Sequence, residues 1–240
     1  MELHYLFHSG FAVVSDHIAV VIDFYEDTTD AMTGWLHHVL LPSDKKIYVL
    51  STHFHPDHFN KEILEWKNVH PDIVYLLSND IKRHHRAHAE DGIFLKKGDV
   101  YDDGTVRVKA YGSTDSGDSF LVSLEGKTFF HAGDLNNWHW SGESNPREIK
   151  KAENDYLAEL KYIMLDVKEV DVTLFPVDRR IGGDYSKGAR QFLQNIKSTI
   201  FVPMHFGDDY EGGNSFQKDA EKLGVQFVPL TVKGQVIHIE

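Results

Sequence analysis

The run Thr52-His53-Phe54-His55-Pro56-Asp57-His58 sets three imidazoles and one carboxylate into six consecutive positions, directly after the apolar stretch Ile47-Tyr48-Val49-Leu50. Strand side chains alternate with a period of two, so His53 and His55 project from one face if the strand continues through them. Two imidazoles on one face can grip one ion. Pro56 lacks the N–H that a sheet ladder needs and is expected to end the strand there, releasing Asp57 and His58 into a loop that can turn back and hold a second ion. Nitrogen and carboxylate-oxygen ligands together suit zinc, with manganese or iron also open. The chain carries 16 histidines in 240 residues, and a lone histidine is ordinarily a surface or satisfied core residue. Four donors in six positions is a different density, and it points to metal binding.

Two further segments place donors where strands should end. Phe129-Phe130-His131-Ala132-Gly133-Asp134 puts a carboxylate just after a hydrophobic strand, with small residues that permit close backbone approach, so that Asp134 can bridge two ions. Phe201-Val202-Pro203-Met204-His205 repeats the arrangement with an imidazole. Either alone is more often structural than functional. The earlier cluster is what raises both to candidate ligands.

The rest of the chain bounds what such a site can serve. At 240 residues, with 41% hydrophobic and 26% charged composition, it is expected to form a single domain over residues 1–240 with a substantial core. No apolar run reaches membrane-spanning length, and Met1-Glu2-Leu3-His4-Tyr5-Leu6-Phe7-His8 lacks the basic and long apolar regions of a secretory signal, so a cytoplasmic location is expected. The absence of cysteine excludes disulfides, a thiolate nucleophile and Cys-rich zinc modules. A formal net charge of −12 disfavours gripping a nucleic-acid backbone, which makes a nuclease the weaker branch. The one basic run, Lys82-Arg83-His84-His85-Arg86 with His88, reads as a solvated helix face.

The elements that must position the donors read as follows. Leu3 to Ser15 and Ile18 to Phe24 form a two-stranded hairpin turning at Asp16-His17. A strand over Ile47 to Thr52 carries the His motif, and a short helix follows over Phe59 to Trp66. Next come a strand over Ile73 to Leu77 and a helix capped by Asn79 or Asp80. Asp102-Asp103-Gly104 turns between strands ending near Val100 and beginning near Val106, and Glu125-Gly126 joins strands Phe120 to Leu124 and Thr128 to His131. Asn145-Pro146 starts a helix running to about Val167, with Ile149, Ala152, Tyr156, Leu160, Ile163, Met164 and Val167 as its apolar stripe. A strand over Val172 to Val177, a helix around Ala189 to Ile196, a strand over Thr199 to Met204, a helix stopped by Gly224 and two strands near Phe227 and Val236 complete the order.

The ordered set His53-Phe54-His55-Pro56-Asp57-His58, then Gly133-Asp134, then His205 resembles the metallo-β-lactamase-fold hydrolases, and His8-Ser9-Gly10-Phe11 with Val20-Val21-Ile22-Asp23 looks like the opening hairpin of the branch that includes sugar-phosphate lactonases. The resemblance implies an α/β fold, a four-layer αβ/βα sandwich of the metallo-β-lactamase type. It assigns His53 and His55 to a first metal, Asp57, His58 and His205 to a second, and Asp134 to both. The family usually supplies one more first-site histidine between the His motif and the Gly-Asp motif. Here Tyr111-Gly112-Ser113-Thr114-Asp115-Ser116-Gly117-Asp118-Ser119-Phe120 has none. Asp115 can substitute, His131 or His139 can swing in, or the protein holds one ion rather than two.

The implied function is a metal-dependent hydrolase acting on a small ester, lactone or phosphoester, because a metal-bound water yields hydroxide near neutral pH. Asp57 is then the catalytic residue as well as a ligand, orienting the water and accepting its proton. His8, His131 and His139 are candidate donors to a leaving group or partners of the ligands. Arg179 and Arg180 stand where a guanidinium can clamp an anionic substrate, although a surface ion pair is the commoner role. Trp138 and Trp140 either wall an apolar pocket or pack the core. The alternative is a non-catalytic or single-metal relative of the same fold.

Overall fold

A computed structural model of the chain describes residues 1–29, 33–140 and 142–240. These form two compact units, the first of Met1–Leu95 and Thr231–Glu240, the second of Lys96–Leu230. The first contains strands β1 (Glu2–Phe7), β2 (Gly10–Val14), β3 (Ile18–Ile22), β4 (Lys46–Ser51), β5 (Val74–Ser78) and β6 (Ile93–Leu95). The second contains β7 (Val100–Asp102), β8 (Val106–Gly112), β9 (Asp118–Leu124), β10 (Lys127–His131), β11 (Glu169–Pro176), β12 (Lys197–Met204) and β13 (Gln226–Phe227), after which β14 (Val236–His238) returns the chain to the first.

Among the described residues the first sheet runs β14-β1-β2-β3-β4-β5-β6, and it is parallel from β3 onward. Strands β3 and β4 read as near-continuous apolar runs because parallel strands are covered on both faces. The segment Lys61–Asn68, a 3-10 helix capped by the Asn60 side chain, packs Ile63 and Trp66 into this unit's core, where the Trp66 and Phe24 rings meet edge to face at 4.8 Å. The second sheet runs β13-β12-β11-β10-β9-β8-β7, antiparallel up to β10 and parallel beyond it. Strand β8 alternates buried and more exposed residues over Val106, Arg107, Val108 and Lys109, as an antiparallel strand with one wet face does. Five α-helices complete the described chain: α1 (Asn79–Arg83), α2 (Pro146–Ile163), α3 (Lys187–Asn195), α4 (Tyr210–Asn214) and α5 (Gln217–Lys222). No described helix is long and apolar enough to cross a membrane.

Four sequence expectations are corrected. The stretch Leu3 to Ser15 is not one strand, because the chain reverses at His8-Ser9, where His8 takes φ 57. The strand bearing the His motif stops at Ser51, so His53 and His55 do not continue it: Asp23 captures the Thr52 N–H at 2.7 Å and draws the backbone out of the ladder five residues before Pro56 can. Helix α1 begins after Ser78, which places Asn79 and Asp80 in its first turn rather than at the cap. Helix α2 stops at Ile163 rather than Val167, and the Lys168 ammonium satisfies the freed Met164 carbonyl. Its start is as expected, with a reciprocal capping box between Asn145 and Glu148 and Pro146 in the first turn. Glu125-Gly126 likewise makes the two-residue hairpin turn, at φ 49 and 77, which only a left-handed pair supplies.

Candidate metal centre

Apart from Asp115, which follows the antiparallel strand β8, the ligands expected after the first hairpin and the two carboxylates that pair with them lie just past the carboxyl end of a parallel strand or of the strand that starts the parallel set. Asp23 follows β3, the His motif follows β4, Asp134 follows β10, Asp178 follows β11 and His205 follows β12. Loops leaving the same end of neighbouring parallel strands lie side by side, the usual place for a site in an open α/β sheet.

In the first unit, Asp23 organises the His motif. Its Oδ1 accepts the Thr52 backbone N–H and its Oδ2 accepts the Thr52 hydroxyl, both at 2.7 Å. The same Oδ2 lies 2.7 Å from His58 Nδ1, and both side chains are fully buried. An ionised carboxylate can only accept, so the proton sits on Nδ1 and His58 presents Nε2. The loop then folds back on itself through Phe59 N–H to His55 O at 2.8 Å and is anchored by buried Phe59. His53 Nε2 and His55 Nδ1 approach to 2.9 Å, and the His53 and His58 rings lie 4.0 Å apart. Asp57 Oδ2 stands 3.3 Å from His8 Nε2 and 3.9 Å from His58 Nε2. Burial opposes ionisation of Asp57, yet the hydrogen bond from His8 and the charges of His58 and His8 outweigh it and hold the carboxyl well below its usual range.

The second unit repeats the device. His205, at φ 67, places Nδ1 3.0 Å from Asp178 Oδ2 and Nε2 3.2 Å from Asp134 Oδ1. Arg180 clamps Asp178 with its Nε 2.9 Å from both carboxylate oxygens. Burial raises Asp178, but the hydrogen bonds from His205 and Arg180 prevail and keep it ionised far into acid. With Nδ1 facing Asp178, Nε2 and the Asp134 carboxylate face each other at a distance that a shared proton or a cation would bridge. Thr114 donates to the Asn136 carbonyl at 2.6 Å and Trp138 Nε1 donates to the Asp134 carbonyl at 2.7 Å, which fixes the loop carrying Asp134. The Asp115 and Asp134 carboxylates offer oxygens within 4.8 Å of each other. His131 is turned instead toward the Gly133 N–H at 3.1 Å and His139 toward the Asn137 carbonyl at 2.8 Å.

All six expected ligands thus fall in clusters inside their own units: His53, His55, Asp57 and His58 in the first, Asp134 and His205 in the second. Both clusters fit a divalent ion, because each sets an imidazole by a carboxylate on Nδ1 and leaves Nε2 facing a second carboxylate. Asp23 and Asp178 were missed in the sequence. The available signal was the one used for Asp134, a single carboxylate directly after an apolar strand. Arg179 and Arg180 are not poised as a substrate clamp: exposed Arg179 pairs with Glu211 at 3.1 Å and Asp209 at 3.8 Å, while Arg180 serves Asp178. Trp138 is partly buried beside His205, and Trp140 is exposed.

No protein-family model matches the chain. Over its whole length it is 24% identical to the UPF0173 metal-dependent hydrolase of Desulforamulus reducens, 100% of each chain being covered. It is similar to the solved structure of Igni18, a metallo hydrolase from Ignicoccus hospitalis, at 19% identity and TM-score 0.69 over 98% of this chain and 97% of that one. It is also similar to YhfI from Bacillus subtilis, a metallo-β-lactamase fold protein, at 11% identity and TM-score 0.67 over 99% of each. The chain has the α/β metallo-β-lactamase fold expected from its motifs.

Proposed function

We propose that this chain, as one domain over residues 1–240, is a metal-dependent hydrolase of a small ester, lactone or phosphoester. In this reading His53, His55, Asp57, His58, Asp134 and His205 hold one or two zinc ions, manganese or iron being the other candidates. The observation that carries it is the paired construction at His58 and His205, each imidazole locked through Nδ1 by a buried carboxylate with Nε2 left to face another. Asp115 takes the place of the absent first-site imidazole, being the candidate whose carboxylate lies against that of Asp134. The metal, when bound, supplies a Lewis acid that polarises the substrate oxygen and acidifies water. Asp57, held ionised, would supply a carboxylate oxygen that orients the attacking water and accepts its proton. The description of the full-length relative as a metal-dependent hydrolase supports the reaction class. Lactones are included because the opening hairpin looks like that of the lactonase branch.

The test is metal content by elemental analysis of the purified chain, followed by hydrolysis of an aryl ester, a simple lactone and an aryl phosphodiester before and after chelation. Chelator-sensitive turnover that Asp57→Ala lowers by about 100-fold or more, with the fold intact, supports the proposal. A metal-loaded chain inert on all three points to the alternative, a binding relative without catalysis, which the missing imidazole between residues 111 and 120 favours. Turnover that survives both chelation and Asp57→Ala would refute the assignment.

A further inference from the structure

His8 occupies a position that a turn alone does not explain. It sits at the reversal from β1 to β2 with φ 57, the left-handed region that glycine enters most readily and that other residues occupy uncommonly. The backbone is pinned there, its N–H donating to the Tyr5 hydroxyl at 3.0 Å. The ring is turned inward rather than to solvent: it is 6% exposed and packs edge-on against His58 at 5.9 Å and Tyr25 at 6.5 Å. A sparsely populated backbone conformation that delivers a buried polar ring to one spot points to a role for that ring there.

The spot is the Asp57-His58 cluster. His8, Asp57 and His58 each offer a donor atom, all within 4.8 Å of one another. His8 Nε2 is 3.3 Å from Asp57 Oδ2, and His58 Nε2 is 3.9 Å from the same oxygen. Around a tetrahedral ion with bonds of about 2.0–2.1 Å, neighbouring donor atoms stand roughly 3.3 Å apart. The His8–Asp57 distance matches that spacing, the His58–Asp57 distance is about 0.6 Å longer, and all three donors lie close enough for small side-chain shifts to bring them onto one cation, with the His58 ring already oriented by Asp23.

We propose that His8 is itself a metal ligand, binding through Nε2 the same divalent ion as Asp57 and His58. This rests on the reading that the site holds metal and adds a nitrogen donor that the motif resemblance does not assign. A ligand differs from a mere hydrogen-bond partner of Asp57 in one respect. Removing its ring leaves a coordination position that free imidazole can fill.

The test uses the full-length, metal-depleted chain titrated with cobalt(II) and zinc(II) against a chromophoric chelator. His8→Gly suits the positive φ, and His8→Asn is the second variant that also tolerates it; circular dichroism of both metal-free variants checks folding. Expected are a fall in affinity of at least 10-fold in each variant, an altered cobalt ligand-field spectrum, and recovery of both properties in His8→Gly with millimolar imidazole that leaves the wild type unchanged. Wild-type affinity in the folded variants would overturn the ligand assignment while leaving the metal reading standing. A loss that imidazole does not restore would overturn it equally. A wild-type chain that takes up neither ion would sink the metal reading and this proposal together.

Discussion

Asp23 Oδ2 lies 2.7 Å from His58 Nδ1, and neither side chain is reached by solvent. The pair decides which imidazole nitrogen faces Asp57. Asp23→Asn keeps the shape but can turn an amide N–H toward Nδ1, which moves the ring proton to Nε2, the nitrogen that faces Asp57. The expected result is a folded protein whose metal affinity drops about 10- to 100-fold, read by chelator competition. Wild-type affinity in this variant would mean that Asp23 serves only to tie down Thr52.

Asp178 stands to His205 as Asp23 stands to His58, with one difference: Arg180 is there to neutralise it. Arg180→Ala should therefore leave the tautomer of His205 in place and weaken metal binding only a few-fold, whereas Asp178→Asn should weaken it by about 10- to 100-fold. Equal losses in the two variants would show that the guanidinium, rather than the carboxylate, sets the imidazole.

Gly188 in α3 marks a close approach on the other side of the Asp134 loop. A Cβ there would lie 1.9 Å from Asn136 Oδ1 and 2.9 Å from the Asn137 backbone nitrogen. Asn136 cannot simply rotate away, because its Oδ1 accepts the Asn137 N–H at 2.8 Å and it is fully buried. Alanine is the better helix former by about 1 kcal/mol, yet overpacking of this kind costs about 1–3 kcal/mol. Gly188→Ala should lower the urea midpoint on balance. A higher midpoint would place the Asn136 side chain elsewhere.

What the sequence disclosed of this site was its dense part. Three histidines and an aspartate in six positions need no structure to be noticed, and the apolar runs before Asp134 and His205 fixed where those strands end. Asp23 and Asp178 stayed hidden because each is one carboxylate after one strand, and its importance comes from strand order. Strand β3 neighbours β4 and β11 neighbours β12, a long-range pairing with no local signature. The same pairing explains the misplaced strand end. Pro56 is a breaker visible in sequence, but the Asp23 hydrogen bond to Thr52 N–H acts first. The left-handed conformations of His8, Asp23 and His205 were equally unreadable, since none is the glycine that usually announces them.

Asp27 offers a pH-dependence away from the ligands. It is 5% exposed and accepts the backbone N–H groups of Thr28 at 2.7 Å and of Leu36 and His37 at 3.0 Å, as well as His37 Nδ1 at 2.6 Å. Burial by itself would raise its pKa, but these four donors overcome that and leave it below the ordinary 3.8. The native state then binds a proton more weakly than the unfolded chain. Its stabilising contribution is whole above pH 3.8 and is lost as pH falls from there through the lower native value, so unfolding free energy rises with pH across that window. Asp27→Asn removes this slope and also leaves the π-helical turn Leu36–Leu40 with a weaker anchor, at a cost of about 1–3 kcal/mol near neutrality. Urea unfolding of both proteins from pH 7 to pH 3 should show their stabilities converging as acid is added. A difference that stays constant down to pH 3 would place the acid sensitivity of this fold in other carboxylates.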